Sequence, residues 1–275
     1  MLITKKELDY LTLLGNTKIE ISLDLGVTKS EVTIKDSKVT SPFKLDLTKL
    51  RKLKDNTIYT VENEELKPLE FYSDETRKFY KLVPTKDWPT VTISSTPMHK
   101  VNFSSPKQDT MAKMNAVGEI KGKALDTCMG AGYTAIQLSK ICQVDTFEID
   151  DNMIEIAKLN PFSKELFEGK IKVHNADIFE EIQKFDSDTF DIIIHDPPTF
   201  KYAHLLYSSE FYEHLFRILK KDGRIYHYTP MPGVKSGRDF PKEVEKRLQA
   251  AGFWTEWAKE AQGFVLTKAL KNKVN

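Results

Sequence analysis

The 275-residue sequence lacks several features that would place it in a special class of proteins. It has two cysteines, Cys128 and Cys142, with no further pair, so neither a disulfide framework nor a cysteine zinc site is expected. It contains no run of 18 apolar residues, and we therefore expect no membrane-spanning helix. Its first residues lack the apolar segment and cleavage site of a signal peptide, which favours a cytoplasmic protein with reduced thiols.

A strong excess of charge is also absent. The chain carries 41 Lys/Arg and 40 Asp/Glu, a net charge of +1. The distribution is uneven, because residues 101–200 hold 10 basic and 17 acidic residues and residues 201–275 hold 14 and 8. A basic carboxyl-terminal part beside an acidic middle is compatible with a nucleic-acid substrate, although it is far from the basic excess of a dedicated nucleic-acid binder.

The first third of the chain is predicted to be a small antiparallel β domain that follows one short helix. Residues 1–16 carry leucines at helical spacing: Leu8, Leu11, Leu13 and Leu14. From residue 17 to about 95, apolar and polar residues alternate in short runs with turns such as Asp36-Ser37 between them, as in sheets with one solvated face. We expect two domains, residues 1–96 and 97–275. The role of the first is not evident from its sequence.

The second part alternates helical and strand patterns. A helix is predicted over Gln108–Ile120, with Met111, Met114 and Val117 facing inward. Strands and helices then alternate up to Gly252, with Asp222-Gly223 predicted as the turn before a fifth strand. Two last runs, 253–258 and 264–268, are predicted to form an antiparallel hairpin. This alternation is typical of an α/β fold with a mainly parallel sheet.

A strand, a glycine turn and a helix are predicted between Lys123 and Ile141, with Asp126, Gly130 and Gly132 in the turn. Glycine lets the backbone approach a ligand closely, and the first N–H groups of a helix lack partners within it. Such a segment is typical of a cofactor cradle.

Three further predicted strands end on or just before an acidic residue: Glu148, Asp177 and Asp196. Ligands of open α/β sheets bind beyond the carboxyl ends of the strands, where the strand order reverses. We therefore expect these carboxylates to meet the glycine turn at one edge of the sheet. A carboxylate after the second strand can accept hydrogen bonds from both hydroxyls of a ribose.

The ordered motifs Asp126-x-x-x-Gly-x-Gly, Glu148, Ala-Asp177 and Asp196-Pro-Pro resemble those of class I S-adenosylmethionine-dependent methyltransferases, over roughly residues 105–270. The chain is also similar to a group of uncharacterised predicted archaeal methyltransferases, with which it shares Leu-Asp-Thr-Cys-x-Gly-x-Gly-Tyr-Thr-Ala-Ile and His-Asp-Pro-Pro-x-Phe. The resemblance implies a seven-stranded Rossmann-like sheet, preceded here by the small amino-terminal antiparallel β domain.

The resemblance also implies a binding site for S-adenosylmethionine and its product S-adenosylhomocysteine. Gly130 and Gly132 would let the backbone approach the methionine part, and Asp126 would orient its amino group. Glu148 would hold the ribose hydroxyls, and Asp177 would accept from the adenine amine. Further residues are expected to line the same site: Cys128, Tyr133, Thr134, Ile149, Ile178, Phe179 and Asp196.

The turn Asp196-Pro197-Pro198 is the candidate for catalysis. Two prolines fix the backbone after a buried strand, and we expect the carbonyls of this turn to face the acceptor. In amino-group methyltransferases such a turn, with an aromatic fourth residue, accepts hydrogen bonds from the target nitrogen. Here Thr199 takes that place and Phe200 follows, which is closer to base methyltransferases of large-subunit ribosomal RNA and leaves the target atom open.

Several other residues are candidates for the acceptor side. His195 precedes the turn and is a candidate catalytic residue. His99 and Lys100, at the join between the domains, and Lys235 and Arg238, in the Pro- and Gly-rich loop 229–239, are candidate substrate-binding residues. Whether this loop is a lid is left open. The histidines lack metal-ligand spacing, so no metal is expected.

The function predicted from the sequence is methyl transfer from S-adenosylmethionine to a nitrogen, with RNA as the favoured partner and no membrane partner. A small molecule or a protein is an alternative acceptor. A second alternative is an aminopropyltransferase that uses decarboxylated S-adenosylmethionine, although such enzymes usually carry more acidic residues where this chain has only Asp196. A third is a binding module without activity, against which Glu148 and Asp196 count. The sequence does not indicate whether the protein is a monomer or an oligomer.

Overall fold

The computed structural model describes residues 1–50, 52–99, 104–119, 121–230 and 239–269. The chain folds into two compact units. The first comprises Met1–Pro106 with Lys158–Phe162, and the second comprises Lys107–Ala157 with Ser163–Asn275. The domain boundary predicted at residue 96 lies shortly before this division.

The first unit consists of three small antiparallel sheets and one helix. The helix is α1 (Lys5–Thr12). The strands are β1 (Ile3–Thr4), β2 (Thr17–Ile21), β3 (Ser30–Lys35), β4 (Lys38–Ser41), β5 (Leu45–Asp46), β6 (Ile58–Glu62), β7 (Glu65–Pro68), β8 (Glu70–Ser73), β9 (Lys78–Val83), β10 (Thr90–Ile93) and β11 (Thr96–Pro97). The sheet orders are β1-β6-β7, β2-β3-β4-β5 and β11-β10-β9-β8. A short 3₁₀ helix spans Leu47–Lys49.

Alternation along these strands builds the core of the first unit, as the sequence predicts. Val32 and Ile34 of β3 are buried, whereas their neighbours along the strand are more exposed. Asp36 and Ser37 both have positive φ, which gives the tight hairpin between β3 and β4 the twist that two-residue turns require. The amino-terminal helix is shorter than predicted, and Leu13 lies beyond its end with 83% of its surface exposed.

The second unit is an α/β structure whose elements alternate along the chain. Its helices are α2 (Pro106–Val117), α3 (Tyr133–Leu138), α4 (Asp151–Lys158), α5 (Ile178–Glu181), α6 (Ser209–Ile218) and α7 (Phe240–Ala250). Its strands are β12 (Gly122–Asp126), β13 (Cys142–Glu148), β14 (Ile171–Asn175), β15 (Phe190–His195), β16 (Leu219–Tyr228), β17 (Phe253–Ala258) and β18 (Gly263–Lys268). Three 3₁₀ helices span Pro161–Phe167, Ile182–Lys184 and His204–Tyr207.

The seven strands of this unit form one sheet in the order β14-β13-β12-β15-β16-β18-β17. Neighbouring strands from β14 to β16 are parallel, and β18 pairs antiparallel with both β16 and β17. This confirms the predicted seven-stranded α/β sheet with a terminal hairpin. The order reverses between β12 and β15, so the carboxyl ends of these two strands form the switch point at which open sheets bind ligands.

Apolar side chains cover both faces of the sheet. Ile193 of β15 belongs to one buried cluster, whereas Ile192 and Ile194 belong to another. All three are 0% exposed. Because parallel strands are buried on both faces, their sequences are nearly continuous apolar runs. This packing also holds the ends of the strands in fixed positions for the site.

Two predictions about this unit were wrong. Met111 was expected to face inward from α2, but it is 38% exposed, and the helix buries Asp109, Thr110 and Lys113. Asp222-Gly223 was expected as a turn before the fifth strand, but both residues lie inside β16. The pairing of β15 with β16 shifts register between Phe190 and Ile192, so that residues 220–223 lie opposite Asp191 alone and regular pairing resumes at Arg224, where the fifth strand was predicted to begin.

No helix among the described residues is long and apolar enough to cross a membrane.

Candidate active site

The carboxyl ends of β12, β13 and β15 bring most of the predicted site residues to one edge of the sheet. β12 lies between the other two strands, with Asp126 paired to Thr146 on one side and to Ile194 on the other. Glu148 ends β13, and Asp196 directly follows β15. The glycine turn that follows Asp126 lies at the same edge.

The glycine turn is held by backbone hydrogen bonds and by left-handed backbone at its two glycines. Met129 donates to the carbonyl of Phe147 over 2.7 Å, and Gly132 donates to the carbonyl of Met129 over 2.7 Å. The φ of Gly130 is 53° and that of Gly132 is 76°, a region that residues with a Cβ rarely adopt. Helix α3 begins at Tyr133 directly after the turn, and the side chains of Tyr133 and Thr134 are buried.

Asp126 is a buried carboxylate with an unused oxygen. Its side chain is 0% exposed, and Oδ2 accepts from the Thr146 hydroxyl over 2.8 Å. Oδ1 has no hydrogen-bond partner among the described residues. Burial raises the pKa of Asp126 to about 7, although the Thr146 hydroxyl acts in the opposite direction. A buried acceptor without a partner is costly, and a ligand N–H would satisfy it.

Glu148 is oriented by two backbone amides. Oε2 accepts from Gly130 over 3.0 Å, and Oε1 accepts from Asp150 over 3.0 Å. Burial raises the pKa of Glu148 to about 7 against these hydrogen bonds. The next residue, Ile149, is 66% exposed. A fixed carboxylate beside an exposed apolar side chain suits a ribose and the flat ring attached to it.

The other predicted adenine-side residues are more enclosed. Asp177 caps α5, where its Oδ1 accepts from Phe179 over 2.8 Å. Ile178 is 4% exposed and belongs to the core, and Phe179 stacks on Phe211 with ring centroids 6.2 Å apart. Ile149, which was predicted only to line the cofactor site, is therefore more exposed than Ile178 and Phe179, the two residues predicted beside the adenine.

Cys128 lies in the glycine turn, and Cys142 begins β13; both side chains are partly buried. Burial raises the pKa of the Cys128 thiol well above its ordinary value, and Glu148 adds to the effect. A protonated thiol is a weak nucleophile. Within the described ranges, no group of His, Cys, Asp and Glu side chains could hold a metal ion.

Lys113 was missed by the sequence reasoning, and it lies between two carboxylates. Its Nζ is 2.6 Å from Asp109 Oδ2 and 2.5 Å from Asp196 Oδ2. Burial alone would lower the pKa of Lys113, but the charges of Asp196 and Asp109 raise it well above its ordinary value. Lys113 is therefore a buried ammonium, and its Nζ is 5.9 Å from the centre of the Tyr228 ring.

The turn after β15 differs in one respect from the prediction. The carbonyl of Pro198 accepts from the Tyr207 hydroxyl over 3.1 Å, so it does not face an acceptor as expected. Pro197 is buried, whereas the Asp196 side chain keeps 26% of its surface exposed. Phe200 is 44% exposed and packs against the rings of Tyr207 and Phe240. Asp196 is partly exposed and Pro198, Thr199 and Phe200 are exposed, so an acceptor can reach all of the turn except Pro197.

His195 has both ring nitrogens engaged inside the protein. Nδ1 is 2.8 Å from the Thr127 hydroxyl, and Nε2 is 2.9 Å from the carbonyl of Leu206. The side chain is 0% exposed, and burial holds the pKa of His195 well below its ordinary value. The ring is therefore neutral, and this geometry suits it to hold the ends of the strands rather than to touch an acceptor.

Of the four predicted substrate-binding residues, the structure describes only His99. His99 belongs to the first unit, where its Nδ1 is 2.9 Å from the Thr90 hydroxyl. Lys100, Lys235 and Arg238 lie outside the described residues, as does most of the loop 229–239. Their roles stay predictions.

Comparisons with known proteins agree with this architecture. The family model of the spermine/spermidine synthase domain matches residues 130–249. A crystal structure of spermidine synthase in complex with the transition state analogue AdoDATO is 18% identical, with a TM-score of 0.56, over 77% of this chain and 78% of that one. At this identity the likeness shows a shared fold.

Two curated relatives are similar in sequence. Polyamine aminopropyltransferase 2 of Streptomyces coelicolor is 32% identical over 148 residues, which are 50% of this chain and 26% of that protein. The uncharacterized protein MJ1233 of Methanocaldococcus jannaschii is 46% identical over 194 residues, which are 69% of this chain and 67% of that protein. The chain therefore belongs to the same family as MJ1233.

Proposed function

We propose that the protein transfers an aminopropyl group from decarboxylated S-adenosylmethionine to a nitrogen of an amine acceptor. When bound, such a donor supplies an alkyl carbon that its positive sulfonium makes electrophilic. A C–N bond forms, a C–S bond breaks, and the nitrogen loses a proton. The residues described above would bind the two reactants and orient them for an in-line displacement.

The adenosine half of the donor fits the outer part of the site. Glu148, fixed by the amides of Gly130 and Asp150, would accept from the ribose hydroxyls. Ile149 would cover one face of the adenine with its exposed side chain. Asp177 lies at the amino end of α5, where its carboxylate could also accept from the adenine amine.

The observation that carries the proposal is the excess of carboxylates at the inner part of the site. Asp126, Asp109 and Asp196 are opposed by one ammonium, that of Lys113, which is the only buried lysine or arginine among the described residues. Decarboxylated S-adenosylmethionine has an ammonium on its chain and no carboxylate. Its ammonium would meet the unpartnered oxygen of Asp126, and its net positive charge would offset the carboxylates.

Asp196 would serve the acceptor. Its side chain keeps 26% of its surface exposed, whereas Asp126 and Asp109 are buried, and its position after β15 is fixed by Pro197. It would accept a hydrogen bond from the attacking nitrogen and take up the proton that this nitrogen loses, while Lys113 holds the carboxylate in place. Phe200 would contact the alkyl part of the acceptor.

The comparisons support this proposal over the methyl transfer predicted from the sequence. The matched domain is named for spermine and spermidine synthases, and the Streptomyces coelicolor relative is named an aminopropyltransferase. Methyl transfer to a nitrogen is a second candidate, because the turn Asp196-Pro-Pro-Thr carries a single acidic residue for the acceptor. RNA as the acceptor in that reaction stays a prediction.

One experiment separates the two reactions. The purified protein is incubated in parallel with S-adenosylmethionine and with its decarboxylated form, each with a panel of alkyl amines and diamines and with RNA. Mass spectrometry then identifies the group added to each acceptor. We expect an aminopropyl adduct on an amine. A methyl adduct with the intact donor, and no aminopropyl adduct, would overturn the proposal in favour of the second candidate.

A further inference from the structure

Helix α2 places a salt-bridged triad at the edge of the site. Asp109 and Lys113 are one helical turn apart on α2, and Lys113 also reaches Asp196 after β15. The side chains of Asp109 and Lys113 are 7% and 6% exposed. Such a buried arrangement is costly to assemble unless each charge is compensated, so the ammonium of Lys113 is committed to its two partners.

A second, independent observation points to a ligand at this place. Oδ1 of Asp126 is buried without a partner among the described residues. The charges of Asp196 and Lys113 both act on Asp126, in opposite directions. The unpartnered oxygen therefore lies within electrostatic reach of the triad, and whatever group it receives also experiences the charges of the triad.

The two possible donors differ at this group. The intact donor carries an ammonium and a carboxylate on the same carbon, whereas the decarboxylated donor carries the ammonium alone. An incoming carboxylate would face Asp126, Asp109 and Asp196, and among the described residues the shared ammonium of Lys113 is the one buried cation that could attract it. The more strongly Asp109 pairs with the Lys113 ammonium, the less this ammonium attracts the carboxylate of the intact donor.

We propose that the Asp109–Lys113 pair determines which donor the protein accepts, because Asp109 withholds the Lys113 ammonium from the carboxylate of intact S-adenosylmethionine. Lys113 and Asp109 are thus specificity-determining residues. This inference rests on the proposed function, and it assigns the choice of donor to a pair of residues that lies before the first strand of the sheet.

The test is the ratio of the dissociation constants of the two donors, measured by calorimetry without acceptor. The wild type should bind the decarboxylated donor at least about tenfold more tightly. Asp109→Asn leaves the ammonium with one carboxylate partner and should lower the preference for the decarboxylated donor by about tenfold. Lys113→Met removes the ammonium and should raise this preference. The double variant removes one charge of each sign and should return the ratio towards that of the wild type.

A surface pair provides the matched control. Lys164 and Glu168 form an i,i+4 pair at 3.4 Å with side chains 78% and 50% exposed. Lys164→Met and Glu168→Gln repeat the charge changes and should leave the ratio unaltered. Should Lys113→Met fail to fold, Asp109→Asn and the double variant still decide the question.

Each result has one interpretation. A ratio that is the same in all variants, or a wild type that prefers the intact donor, overturns the role of the pair. Binding of neither donor to the wild type overturns the proposed function and this inference with it. Binding of both donors with an unchanged ratio overturns the inference alone.

Discussion

The amide of Gly130 donates a hydrogen bond to Oε2 of Glu148 over 3.0 Å and so joins the glycine turn after β12 to the end of β13. The second oxygen of Glu148 accepts from Asp150. The carboxylate proposed to bind the ribose and the turn proposed to approach the donor are thus positioned together. A change at Glu148 should therefore affect both the binding of the ribose and the order of the turn.

Glu148→Gln should weaken the binding of either donor by about 10- to 100-fold. The amide keeps the volume of the carboxylate, but it loses the charge, and a hydrogen bond to a charged group contributes about 1.5–3 kcal/mol. Calorimetry with wild type and variant measures the loss, and Glu213→Gln, on the exposed side of α6, is the control. Equal donor affinity in wild type and Glu148→Gln would show that Glu148 does not bind the ribose.

The stability of the unliganded protein should depend on the protonation of Asp126 and Glu148. Burial raises the pKa of each to about 7, above the ordinary values of 3.8 and 4.5. For a carboxyl group with a raised pKa, the folded state binds the proton more tightly than the unfolded state. This contribution to stability is complete below about pH 4 and is lost as the pH rises through 7.

Donor binding should have the opposite dependence on pH. A positively charged donor favours ionised carboxylates, so binding near pH 6.5 should release protons from both groups, and affinity should rise up to about pH 7 and then level off. Calorimetry in buffers of different ionisation enthalpy counts the protons released. Asp126→Asn should release fewer, and an unchanged count in this variant would show that Asp126 does not titrate on binding.

The sequence predicted those parts of the site that depend on the residue pattern of one short segment. The turn from Asp126 to Gly132 follows from a strand, two glycines and a helix, and parallel pairing then brings Glu148 and Asp196 to the same edge. Those steps need only periodicity and strand order. The seven-stranded sheet is confirmed for the same reason.

The triad could not be predicted in this way. Lys113 and Asp196 are 83 residues apart, and their contact depends on how α2 packs against the sheet. The apolar spacing of α2 favoured Met111 as an inward residue, but packing turns Asp109 and Lys113 inward because each finds a charged partner there. A charged pair four residues apart in a helix of weak apolar periodicity was the available signal.

Asp196→Ala should lower kcat for group transfer by about 10²–10³-fold, the usual cost of losing one well-placed polar group in a transition state. Asp196→Asn should lose less, since its amide oxygen can still accept a hydrogen bond from the acceptor nitrogen although it cannot take up the proton. Single-turnover rates, with donor affinity measured beside them, separate catalysis from binding. Full turnover per folded molecule in Asp196→Ala would show that Asp196 only shapes the turn.

His195→Leu should lower stability more than it lowers the rate per folded molecule. The variant leaves the Leu206 carbonyl without its partner in the core, at a cost of about 1–3 kcal/mol, whereas the Thr127 hydroxyl can still donate to the carbonyl of Ile194. Chemical denaturation gives the loss in the free energy of unfolding. A stable variant with a strongly reduced rate would indicate that His195 takes part in the reaction, and it would contradict the structural role.

Gly132→Ala should be one of the most damaging single changes in the glycine turn. A Cβ at Gly132 would lie 2.0 Å from Cδ1 of Leu166, which is 1% exposed and part of the core. The φ of +76° adds strain of about 1–2 kcal/mol, and forcing Leu166 aside should cost about 1–3 kcal/mol more. Because this glycine starts α3 beside the proposed donor site, donor affinity should fall together with stability.

Gly169→Ala separates the two causes of that loss. The φ of Gly169 is +88°, but no atom lies within 4 Å of the position of its Cβ. This variant should therefore lose only the strain term, about 1–2 kcal/mol, and keep its donor affinity. Adding Leu166→Ala to Gly132→Ala should relieve the clash, so that the double variant loses less than the sum of the two single changes. Equal losses in Gly132→Ala and Gly169→Ala, measured by denaturant unfolding, would show that backbone strain alone requires glycine at position 132.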